Sequence, residues 1–198
     1  MLKAGKRIFV LTFIVIAFVS ASVASAAPAV SSTVSGYAGN WILDFEVTNT
    51  LGVANLDIYL WGVALPAGSI SATPASWGVF AGSGYTVSSF GGSDIIYDYS
   101  WMFSWPNFSG LIHNGDTLGG FQVTVNTLSA PPSASWFAFA NDWTNGVATY
   151  GGSDYFNTPK NPGFEGTIVY QAVPEPSSML FFVAGLAGMA LLRKRTAQ

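Results

Sequence analysis

The sequence contains no cysteine. Disulfides, zinc–thiolate centres, iron–sulfur clusters and cysteine nucleophiles are therefore excluded, and a folded domain must stand on its packed core. There is one histidine, His113, placed before an Asn114-Gly115 turn and read as a solvated or hydrogen-bonded side chain. Charge is scarce, at 9% of the residues. Positive charge is scarcer still in the middle of the chain. Between residues 27 and 173 the only basic residue is Lys160, against Asp44, Glu46, Asp57, Asp94, Asp98, Asp116, Asp142, Asp154 and Glu165, a net charge of −8. That stretch offers phosphate no basic patch, so nucleic acid is not an expected partner. Gly-x-Ser-x-Gly elbows and Walker-type phosphate loops are absent. An EF-hand is absent too: counting from Asn141, the third position is Trp143 and the twelfth Gly152.

Long apolar runs occur only at the two ends. Lys3, Lys6 and Arg7 precede an apolar run over residues 8–19 that only Thr12 interrupts, and Ala24-Ser25-Ala26 supplies small residues at −3 and −1. This predicts a signal peptide over 1–26, handled by the Sec machinery and signal peptidase. At the other end, Pro174-Glu175-Pro176 and Ser177-Ser178 lead into an uncharged run over 179–192, closed by the basic stop Arg193-Lys194-Arg195. The prolines lock φ and lack a donor, so they hold an extended segment. The run has no charge to keep it out of lipid, and the basic cluster favours the cytoplasmic side. Counted from Ser177, a helix of about 24 Å results, short of a ~30 Å hydrocarbon core, which snorkelling Arg and Lys extend.

These residues resemble the PEP-CTERM protein-sorting domain: Pro174, Glu175 and Pro176 match its motif, the apolar run its membrane helix, and 193–195 its basic end. The resemblance covers about an eighth of the chain. It implies export, transient anchoring in the membrane, and recognition by an exosortase-like sorting enzyme of which this chain is the substrate. It also implies a Gram-negative envelope and an association with exopolysaccharide. No catalytic residue is carried over. The expected organisation is a signal peptide (1–26), a cargo domain (27–172) and a sorting tail (173–198) with its membrane helix at about 177–192.

The cargo domain reads as β structure, with turn chemistry between short alternating runs and no long 3.6-residue stripe. Trp41, Leu43, Phe45 and Val47 alternate with Asp44 and Glu46; Leu56, Ile58 and Leu60 alternate with Asp57, Tyr59 and Trp61; Phe121, Val123 and Val125 alternate with Gln122 and Thr124. The longest alternation runs from Ile95 to Trp105 and sets Tyr97, Tyr99, Trp101, Phe103 and Trp105 on one face of one strand, read first as sandwich core and second as a platform for sugar rings. Residues 85–90 read as a short strand, 66–74 and 141–162 as loops, and 166–172 as the last strand. About seven strands are expected. The fold class is all-β: a single antiparallel β-sandwich of immunoglobulin or jelly-roll type, flanked by an N-terminal signal helix and a C-terminal transmembrane helix. Phe90-Gly91-Gly92-Ser93-Asp94 echoes Tyr150-Gly151-Gly152-Ser153-Asp154 and is read as two similar glycine-rich turns.

Three functions are weighed for this domain. The first is a non-enzymatic exported surface or matrix protein. The second is a glycan-binding module, with Tyr59, Trp61, Trp101 and Trp105 as aromatic contacts. On this reading Tyr59 and Trp61 lie on the polar face of their strand, while Trp101 and Trp105 emerge at a rim. The third is a hydrolase, for which Asp44 and Glu46 are the nearest carboxyl pair; both are placed on the solvent face, with no cause for a raised pKa. No cofactor is expected. The weak calcium candidates are Asp94, Asp98, Asp142 and Asp154, read mainly as solubilising charge.

Overall fold

The structure is a computed structural model that describes residues 26–81, 84–106, 108–152 and 154–170. The signal segment, apart from Ala26, and the tail over 173–198 lie outside the described residues. In chain order the strands are β1 (Ala29–Tyr37), β2 (Asn40–Thr48), β3 (Asp57–Ala64), β4 (Gly68–Ala72), β5 (Trp77–Val79), β6 (Tyr99–Phe103), β7 (Thr117–Val125), β8 (Ser133–Asn141), β9 (Phe156–Thr158) and β10 (Asn161–Val169). Short 3₁₀ turns occupy Ser88–Phe90 and Phe108–Gly110.

The pairings among the described strands are antiparallel and build two sheets, β1-β2-β7-β4 and β5-β6-β3-β8-β10-β9. The sheets pack face to face, so the antiparallel β-sandwich is established. Leu43, Phe45 and Val47 of β2 and Phe121, Val123 and Val125 of β7 are buried against Trp61, Val63, Trp101, Trp136 and Phe164 of the larger sheet. Trp61 is central to this layer. Its ring stacks on Trp101 at 4.9 Å and meets Phe121 edge-on at 4.9 Å and Phe45 at 5.6 Å.

The larger sheet is also covered on its outer face. Leu60, Phe137 and Phe139 pack there with Val87 and Tyr97, and with the partly buried Tyr85 and Phe156. This second layer explains β8, which reads Trp136-Phe137-Ala138-Phe139-Ala140 with hardly a polar break. A strand buried on both faces needs apolar residues at successive positions. Glu165 on β10 fastens the cover. Its carboxylate accepts the Ser93 N–H at 2.8 Å, the Ser93 hydroxyl at 2.6 Å and the Tyr97 hydroxyl. Gly92 has to be glycine here, because a Cβ would lie 2.6 Å from the Val87 side chain and 3.2 Å from the Glu165 carboxylate. Burial foremost, and then the bond to Glu165, hold the Tyr97 hydroxyl well above its usual pKa.

Several sequence expectations are corrected. Ten strands are described rather than about seven, because β1, β4, β5 and β9 have weak apolar patterns and pair only at sheet edges. Residues 85–90 form a single bridge, Tyr85 to Tyr97, and a 3₁₀ turn, not a strand. The run from Ile95 to Trp105 is not one strand. It bends at Asp98, so that Tyr97 belongs to the outer layer while Tyr99, Trp101 and Phe103 belong to the inner one. Residues 141–162 are not wholly loop, since they contain β9 and the start of β10. The two glycine-rich turns differ: Phe90 is exposed on the outer cover, whereas Tyr150 is buried in the inner core.

The largest correction concerns β3. Its pairing with β8 slips by one residue between Ile58 and Leu60. A bulge of this kind reverses which face each later side chain meets. Ile58 faces the inner core, Leu60 the outer layer, and Trp61 the inner core again. Trp61 is therefore fully buried, and not a contact on a polar face.

Candidate functional site: an exposed aromatic rim

Four rings from three segments meet at one place. Phe103 ends β6, Trp105 follows it and is joined to Pro106 by a cis bond, Phe108 opens the next 3₁₀ turn, and Trp143 lies just after β8. Ring centroids are 4.9 Å apart for Trp105–Phe108, 5.5 Å for Phe103–Trp143, 6.2 Å for Trp105–Trp143 and 6.4 Å for Phe108–Trp143. Phe103 is buried, yet Trp105, Phe108 and Trp143 are 65%, 40% and 38% exposed. The three exposed rings are inclined to one another by 54–75°. They form facets rather than one flat platform.

Asp142 sets the position of Trp143. Its Oδ1 accepts the N–H groups of Thr144 at 2.9 Å and Asn145 at 2.8 Å, and its Oδ2 those of Val147 at 3.1 Å and Ala148 at 3.0 Å. One buried carboxylate thus closes the whole 142–148 loop. These bonds, that from Asn145 foremost, hold the carboxyl far below its usual pKa. A group depressed in this way stabilises the fold above its unfolded pKa of about 3.9, and the contribution fades as pH falls below that value. Asp142→Asn is therefore expected to melt at a lower temperature at pH 7 and to show a shallower loss of stability between about pH 5 and 2. Thermal melts of both proteins across that range check this; parallel curves would remove Asp142 from the acid limb.

Tyr59 supports the rim from below. It is half-buried, its ring lies 5.4 Å from Trp143, and its hydroxyl donates to Asn161 Oδ1 at 3.2 Å. Burial foremost raises its pKa. Of the four aromatic candidates read from the sequence, Trp105 is exposed and Tyr59 partly so. Trp61 and Trp101 are fully buried and stacked on each other, so neither can touch a ligand. Phe108 and Trp143 were missed, because no spacing in the chain links them to Trp105. The Asn-Asp-Trp-Thr-Asn-Gly turn chemistry was the one local signal that Trp143 is held in a fixed loop.

The carboxylate candidates do not gather. Asp94 and Asp154 are exposed, Asp98 is half-buried, and Asp142 is committed to backbone N–H groups. Among the described residues, no group of three or more His, Asp or Glu converges as a metal site would. Asp44 accepts from Gln122 Nε2 at 2.9 Å, and with Glu46 lines a shallow groove beside Ser31, Ser32 and Thr33. His113 is half-exposed, with Nδ1 3.0 Å from Oδ1 of the buried Asp57. That contact ties the loop before β7 to the start of β3. Among the described residues, no helix is long and apolar enough to cross a membrane.

No curated protein matches the chain. Among solved structures, it is similar to an uncharacterized protein from Nocardia farcinica with an immunoglobulin-like fold, at 16% identity and a TM-score of 0.37, covering 71% of this chain and 97% of that one. It is also similar to the seventh ScaB type I cohesin from Pseudobacteroides cellulosolvens, at 12% identity and a TM-score of 0.29, covering 74% of this chain and 95% of that one. A further match falls on the tail. Residues 172–195 carry the PEP-CTERM protein-sorting motif, and the chain is thereby an exported protein sorted by an exosortase-like enzyme.

Proposed function

We propose that this is a non-enzymatic cell-surface or extracellular-matrix protein whose β-sandwich holds a neutral polysaccharide at the aromatic rim. The observation that carries this reading is the exposure of Trp105, Phe108 and Trp143 in one cluster. Folding alone would not leave three large rings together in water, and the apolar face of a sugar ring stacks on such side chains. Residues 99–111 and 143–149 contain no charged side chain, which favours an uncharged ligand. On this reading the signal peptide ends at Ala26, the helix near 177–192 anchors the chain until it is processed, and the product stays with the envelope or its exopolysaccharide.

Affinity electrophoresis through gels containing hydroxyethylcellulose, galactomannan or dextran tests the rim. At least one polymer is expected to retard the protein, and Trp105→Ala with Trp143→Ala to remove the retardation, each ring contributing about 1 kcal/mol. Absence of retardation by every polymer, or its survival in the double variant, would overturn the assignment. Alginate is a useful contrast. A domain of net charge −8 repels an anionic polymer, so retardation by alginate is expected only with calcium present.

A further inference from the structure

Among the described residues, β1 forms the longest open sheet edge: it pairs with β2 along all nine of its residues, and no described strand pairs with its other side. The other open edges are shorter: β4 has five residues, β5 three and β9 three, and β10 is open over 164–169 beyond β9. Proteins usually protect a long edge with lysine, proline, an inward charge or a covering element. β1 reads Ala-Val-Ser-Ser-Thr-Val-Ser-Gly-Tyr and has neither charge nor proline. β10 comes near it without pairing: Val30 to Thr33 and Thr167 to Val169 together line an open cavity of about 450 Å³. Along this edge, alternate backbone N–H and C=O groups have no ladder partner.

We propose that β1 docks on β1 of a second copy, antiparallel about Thr33, joining two four-stranded sheets into one of eight strands. Antiparallel pairing of a strand with itself is self-complementary by symmetry. Centred on Thr33, it sets Thr33 opposite its own copy and Ser31 opposite Ser35, pairs that hydrogen-bond across a sheet, and no like charges meet along the strand. The chain outside the structure supports the same occupant. Twenty-eight residues follow Tyr170, carrying the sorting motif, and they leave from β10, which borders the same cavity as β1. Copies held at one membrane by such tails meet at a raised effective concentration. The net charge of −8 on each domain opposes association, so salt strengthens it.

The absence of cysteine makes the test clean. In the full-length protein in its exporting cells, Thr33→Cys is expected to give at least about tenfold more disulfide-linked dimer than Ser129→Cys, because directly opposed strand residues fall within disulfide reach. Ser129 lies in an exposed loop and serves as the control. Thr33→Lys, which keeps the sandwich and places like charges opposite each other, is expected to abolish a salt-promoted dimer of the purified chain in sedimentation. Equal crosslinking at the two positions, dimers formed through Ile70→Cys on β4, or a monomer at every salt concentration would each overturn the proposal. None of these outcomes bears on the aromatic rim.

Discussion

Trp61→Ala is expected to lower the stability of the domain by about 3–5 kcal/mol, a large part of what a domain of this size has. Trp61 is completely buried at the centre of the inner layer, with Trp101, Phe121 and Phe45 within 5.6 Å between ring centroids. Those rings come from β6, β7 and β2, so a cavity at Trp61 loosens both sheets at once. Trp61→Phe is expected to be much milder. It keeps part of the ring contact and removes the Trp61 Nε1–H, which is buried without a hydrogen-bond partner. Trp105→Ala, at a rim residue, is expected to change stability by no more than about 0.5 kcal/mol. Urea melts of the three variants separate these cases. A Trp61→Ala protein as stable as the parent would contradict the packing described. The comparison also matters for the ligand tests, since lost binding in Trp61→Ala would report unfolding and not a lost contact.

Deleting residues 174–198 is expected to redirect nearly all of the protein within the envelope while leaving the fold intact. The sandwich is finished before the tail begins. β10 ends at Val169, and the Tyr170 N–H donates to the Pro132 carbonyl at 3.1 Å. All the described strands, both apolar layers and the aromatic rim lie upstream of Pro174. Fractionation of cells should move the truncated protein from the membrane to soluble or released fractions, and circular dichroism and melting should match the parent domain. Substituting Pro174, Glu175 and Pro176 alone should block sorting but keep the apolar run over 179–192, so the protein should accumulate in the membrane. An unchanged distribution in both variants would separate the motif from sorting in this chain.

The parts of the sandwich that were legible in the sequence are those where burial is one-sided. In β2 and β7, Leu43, Phe45 and Val47 and then Phe121, Val123 and Val125 face inward as their alternation predicts. Where both faces are covered the alternation stops being informative. β8 carries apolar residues on both sides, and the cover that makes this necessary comes from residues 84–97 and from Phe156. The aromatic stripe is core as read over Tyr99, Trp101 and Phe103, but it is not one face of one strand. Its period of two is regular from Tyr97 to Trp105, but the bend at Asp98 divides it between two layers.

The sequence by itself determined that this protein is exported and sorted. The sorting motif and its basic end act as a linear segment read by an enzyme and by lipid, so composition and order carry the whole signal. It also determined the β class, through short alternating runs and turn residues. Only the tertiary structure decided which aromatics face water. A one-residue slip in the β3–β8 ladder turned Trp61 into the core, and loops distant in the chain carried Trp105, Phe108 and Trp143 together. Register and loop closure depend on partners far along the chain. No local pattern encodes them, and so the sorting of the protein was readable in advance while its rim was not.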